Sequence, residues 1–125
     1  MMHISLLVLA IPVTKLIGKG VSSLHFLVKD AVLIVAVFAF VVLAHTLQVW
    51  LWAVCFVWLG ALAFLEEAIY FSLVTYTTVG YGDVTVGSDF RIFAAMASVT
   101  GLLTFGLSTA FLVTFFERMR VGNAR

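Results

Sequence analysis

The residues best equipped for chemistry in this sequence lie together in one short stretch, TYTTVGYGD, residues 75–83. It supplies threonine hydroxyls at 75, 77 and 78, tyrosines at 76 and 81, glycines two apart at 80 and 82, and the carboxylate of Asp83. Long apolar stretches flank it on both sides. Backbone that is neither helix nor closed sheet is very costly at membrane depth, because no water reaches its N–H and C=O groups. A polar interruption there needs something to solvate it. Enzymatic constellations are missing: the sequence has no paired carboxylates, nucleophile elbow or phosphate loop, and His3, His25 and His45 share no metal-ligand spacing. The one cysteine, Cys55, sits in an apolar run and reads as a small buried hydrophobe. Neither enzymatic activity nor an organic cofactor is expected.

Composition dictates the elements that must hold this stretch. Of the 125 residues, 64% are hydrophobic and 10% charged, and the mean hydropathy is +1.22. A soluble domain of this length needs a polar shell that such a composition cannot supply, so a single domain with the bilayer as solvent is expected. A net charge of +1 leaves no polybasic footprint for nucleic acid. The charges are segregated. Lys15, Lys19 and Lys29 precede the first strong apolar segment, and Arg118, Arg120 and Arg125 follow the last. Between them lie Glu66, Glu67, Asp83 and Asp89, with Arg91 the only base. The positive-inside tendency puts both flanks, and so both termini, in the cytoplasm and the acidic middle outside. Two crossings are the simplest even number that joins them, in a cell membrane whose small protein favours a bacterial inner membrane.

The first crossing is predicted over residues 31–60, about 30 residues and so about 45 Å, longer than the ~20 residues a span needs. Within it, AHTLQ (residues 44–48) places His45 and Gln48 on one helix face. They are either polar contacts between helices inside a continuous helix, which is the favoured reading, or a break that divides residues 31–65 in two. The last crossing is predicted over 90–116. Its small residues, Ala94, Ala97, Ser98, Gly101 and Gly106 among them, permit close helix packing, and Gly101 and Gly106 are the easiest places for a bend. Residues 1–30, interrupted at Pro12, are expected to lie on the cytoplasmic leaflet as an interfacial helix, with a short third crossing as the alternative. Between the crossings, LEEAIYFSLVTYTT reads as a short helix over 66–77 that begins with Glu66 and Glu67, as a helix N-terminus prefers. A buried helix too short to span, followed by irregular backbone, is a re-entrant loop.

At TTVGYGD, residues 77–83, the sequence resembles the filter signature of potassium channels, in which TVGYG loops present backbone carbonyls to the ion. The order of crossing, short helix, signature and crossing is similar to the two-transmembrane potassium channel pore family over residues 31–117. The resemblance implies an all-α membrane protein: two transmembrane helices flank a re-entrant pore helix and a selectivity filter at 78–82, and four copies assemble as a homotetramer in membrane lipid. Residues 1–30 and the tail 118–125 fall outside that pore domain. The carbonyls of Thr78, Val79, Gly80 and Tyr81, with the Thr78 hydroxyl as the innermost ring and Gly82 closing the filter, would then bind K+ ions. Asp83 would sit at the outer mouth, and Leu102, Phe105, Thr109 and Val113 would line the cavity.

Physical reasons suit these residue types to these positions. Removing water from a cation is costly unless oxygens replace it. Carbonyls of an extended chain alternate in direction, but alternating left- and right-handed backbone turns them to one side, and glycine accepts the left-handed angles without a Cβ clash. One chain supplies only one side of such a path, whereas four in a head-to-tail ring surround the ion. Two departures from the family pattern stand out. Where many relatives carry paired tryptophans that brace the filter, this chain has Tyr70 and Phe71, and Phe71 has no hydrogen-bond donor. Where some relatives pair a glutamate with the outer aspartate, this chain has Val74. A weakly selective cation channel and a non-conducting membrane subunit are the rival readings. The gate is expected at a crossing of the inner helices near Phe115, Phe116 and Glu117, with Gly101 or Gly106 as hinge.

Overall fold

The computed structural model describes residues 2–20 and 26–123. His25 and Arg125 lie outside the described residues, as does the side chain of His3. Helices make up the fold, and no strand occurs among the described residues: α1 Met2–Gly20, α2 Phe26–Trp58, α3 Leu65–Tyr76 and α4 Arg91–Asn123, with a 3-10 turn at Ser88–Phe90 leading into α4. Two stretches, Val28–Trp58 and Ser88–Val121, are long and apolar enough to cross a membrane. The expected order of long helix, short helix, irregular loop and long helix is present.

The boundaries have local causes. Helix α2 ends at Trp58 because Gly60 takes a left-handed φ of +72°. The next N–H, of Ala61, turns back to the Phe56 carbonyl at 2.9 Å, the bond pattern with which glycine closes a helix. The helix runs unbroken through residues 44–48, as one of the two readings had it. At the other end, α4 passes residue 116 and continues to Asn123, so most of the expected tail is helical: Glu117, Arg118, Met119 and Arg120 are good helix formers, and no glycine intervenes before Gly122. Pro12 does not interrupt α1, contrary to expectation. It removes one backbone donor from a helix that persists on either side.

The described residues divide into two compact units. In the unit His45–Gly106, an apolar cluster joins α2, α3 and the start of α4. Phe56 meets Phe71 edge-to-face at 5.1 Å and Phe93 at 5.4 Å, while Trp52 meets Phe93 at 5.1 Å. Ala53, Ala68 and Ala94 are buried among them, and their small side chains let the three helices approach. Phe71 therefore works as packing. In the other unit, α1 buries Leu7 and Ala10, and α2 buries Val37, Val41 and Ala44.

Candidate functional site

The irregular loop begins where α3 runs out of partners for its last carbonyls. Thr77 N–H bonds the Leu73 carbonyl at 3.1 Å and Thr78 N–H the Thr75 carbonyl at 3.0 Å, closing the helix. The next two donors turn the same way: Val79 N–H and Gly80 N–H both reach the Val74 carbonyl, at 3.0 and 3.2 Å. No peptide bond among the described residues is cis, and in a trans unit the C=O points opposite to the N–H. With the N–H groups of 79 and 80 aimed at α3, the carbonyls of Thr78 and Val79 both point away from it, on one side of the loop.

The dihedrals explain how consecutive carbonyls can share a side. Positive φ falls at every second residue: Thr78 at 62°, Gly80 at 55° and Gly82 at 80°. Val79 and Tyr81, between them, are not left-handed. Sequence reasoning anticipated the two glycines but not Thr78, because a β-branched residue with positive φ is a rare and strained choice. Val79 is 53% exposed and Tyr81 75% exposed in the single chain.

At the outer end, Tyr70 in α3 donates its hydroxyl to Asp83 Oδ2 at 2.6 Å. That bond, opposed by desolvation and supported by the backbone N–H groups of Asp83 and Val84, holds the Asp83 carboxyl below its ordinary range. The same bond is the first cause that raises the Tyr70 hydroxyl. The bracing absent from Phe71 and Val74 is thus supplied by Tyr70. Val74 borders a cavity of about 200 Å³ between α3 and the loop, together with Tyr70, Thr75, Gly80 and Asp83.

On α4, Leu102, Phe105, Thr109 and Val113 are all exposed in the single chain, although the Phe105 ring stacks on His45 at 4.3 Å. One turn earlier on α4, Ser98 and Gly101 meet α3. Ser98 donates to the Thr75 carbonyl at 2.8 Å, and Gly101 lies so close to Tyr76 that a Cβ there would overlap the Tyr76 carbonyl oxygen. Gly106 has open space around it, and α4 is continuous through both glycines. Close approach is therefore what requires glycine at 101. The polar residues around Tyr76, namely His45, Gln48 and Thr104, form a group that the sequence reading did not assemble. Their signal was present: each is a polar side chain in an apolar run, and such residues face protein. Among the described residues no cluster of His, Cys, Asp or Glu could hold a metal ion.

Two helices able to span a membrane, holding between them a short helix and a loop with aligned carbonyls, have the build of an ion-channel pore. Residues 30–118 match the family model described as "Ion channel", and the chain belongs to that family. It is thus a membrane protein of a family that is not one of enzymes. No solved structure matches the chain.

Proposed function

We propose that four copies close around a common axis as a potassium-selective channel, passing K+ down its electrochemical gradient through residues 78–82. One observation carries this reading: the alternating left-handed residues 78, 80 and 82, with the N–H groups of 79 and 80 turned to the wall. Carbonyls left facing one way at membrane depth are affordable only if something replaces water around them. A dehydrated cation on a fourfold axis does so for every chain at once. Thr78, Val79, Gly80 and Tyr81 contribute those oxygens, and the exposed side chains of Val79 and Tyr81 are buried against neighbouring copies. Asp83 at the mouth raises the local cation concentration. The C-terminal end of α3 adds a favourable dipole for cations in the cavity. Both flanks are cytoplasmic, α1 lies at the inner leaflet, and the membrane is a bacterial inner membrane. The gate lies near Phe115, Phe116 and Glu117. Since Gly101 is committed to Tyr76, Gly106 is the hinge.

Flux from purified chain in liposomes tests the proposal. Reversal potentials in mixed potassium and sodium should follow potassium, and Gly80→Ala should silence the current. A reversal potential indifferent to the ratio of the two ions would leave a weakly selective channel, and absence of flux a non-conducting subunit.

A further inference from the structure

Tyr76 is the last residue of α3 and only 1% exposed. Its hydroxyl lies 2.8 Å from Gln48 Oε1, 2.6 Å from Thr104 Oγ1 and 3.0 Å from His45 Nδ1. One oxygen therefore joins α2, α3 and α4. A phenol has one proton and two acceptor sites, so the three contacts can be counted. Gln48 Oε1 only accepts, and takes the phenolic proton. The phenolic oxygen must then receive the other two bonds, one from the Thr104 hydroxyl and one from His45. The second is available only when Nδ1 carries hydrogen. Thr104 has the Thr100 and Gly101 carbonyls at 2.8 and 3.0 Å as competing acceptors, and by turning to Tyr76 it leaves the phenolic proton for Gln48.

Two residues further on, Thr78 holds a φ of 62°. A strained residue persists only where its surroundings over-determine it. Tyr76 is fixed at both ends, by its hydroxyl in this junction and by its carbonyl against Gly101. The preceding carbonyl, of Thr75, accepts from both Thr78 N–H and Ser98 Oγ. We propose that the Tyr76 hydroxyl junction positions the inner end of the filter, with His45 as an obligatory Nδ1–H donor and Thr104 as the second donor. The inference rests on the channel reading above, in which Thr78 forms the innermost ion-binding ring. These are positioning residues: none of them touches the ion path.

The test uses full-length chain in proteoliposomes and reads the potassium-to-sodium permeability ratio beside tetramer yield and thermal stability. Tyr76→Phe and His45→Leu should each lower the ratio by about tenfold, the effect of one lost buried hydrogen bond. His45→Asn, whose amide N–H falls near the position of Nδ1, should recover most of that loss. Thr104→Val should lower the ratio alone, yet add nothing in the Tyr76→Phe background, because both remove the same junction. Should Tyr76→Phe fail to assemble, Thr104→Ser against Thr104→Val carries the same question, with the serine near wild type. Variants that melt earlier but keep the wild-type ratio would overturn the proposal, and so would a His45→Asn as impaired as His45→Leu. A wild type without potassium-selective flux would remove the channel reading and this junction together, whereas a selective wild type with indifferent variants removes the junction alone.

Discussion

Two tyrosines of α3 stand at opposite ends of the carbonyl loop. Tyr76, at the Thr78 end, is buried and shares its hydroxyl among side chains of α2 and α4. Tyr70, at the Asp83 end, is exposed and donates its hydroxyl to the carboxylate of Asp83. Burial decides their relative weight. A hydrogen bond shielded from water leaves an uncompensated acceptor behind when it is broken, while an exposed pair exchanges its partner for solvent at little cost. The Thr78 end is thus held by packing and buried hydrogen bonds, and the Asp83 end by a bond that pH and salt can loosen. Between them, Val79 and Tyr81 offer side chains that the single chain does not cover.

The largest effect is expected in the loop itself. Gly80→Ala places a Cβ at a φ of +55°, a conformation that costs an L-residue about 1–2 kcal/mol. Loss of potassium flux is expected, and normal flux would mean that the alternation of dihedrals is not what aligns the carbonyls. Next comes Gly101→Ala, whose methyl overlaps the Tyr76 carbonyl. Overpacking of this kind costs about 1–3 kcal/mol, so the protein should melt earlier. Gly106→Ala, in open space, should assemble normally. If the two melted alike, the seat of Tyr76 on α4 would be refuted.

Tyr76→Phe ranks third for stability, at about 1–3 kcal/mol for the acceptor it strands, and thermal unfolding of the assembled protein measures it. The smallest effect belongs to Tyr70→Phe, and it should show in pH dependence. Asp83 is held below its ordinary pKa, chiefly by Tyr70. Its contribution to stability is therefore present above about pH 4 and fades as pH falls through the lower native value. The raised Tyr70 contributes below about pH 10 and loses its share above that. The variant should be less stable than wild type near neutrality and converge with it in acid. Parallel curves at every pH would show that the outer bond contributes nothing.

The apolar runs were legible because a span needs length and hydropathy alone, and α3 because its acidic first turn and lack of other charge leave few alternatives. Gly80 and Gly82 were legible because their spacing repeats the alternation that the backbone needs. Thr78 was not: nothing about a threonine announces positive φ, which is imposed by the turn off α3. His45 and Gln48 were visible as a polar pair on one face, yet their partner lay 28 and more residues away, and no local pattern pairs residues at that distance. Pro12 misled because proline is unfavourable in a helix interior on average, while the burial of Leu7 and Ala10 anchors the turns of α1 that precede it.

By itself the sequence determined the solvent of this protein, the order of its elements and the two left-handed glycines of its irregular loop, since hydropathy, helix length and glycine spacing act over short range. Tertiary structure alone decided which glycine is a contact, which tyrosine is an anchor and which polar side chains gather around it. Those outcomes depend on atoms from three helices meeting within hydrogen-bond distance, and only the folded chain brings them there.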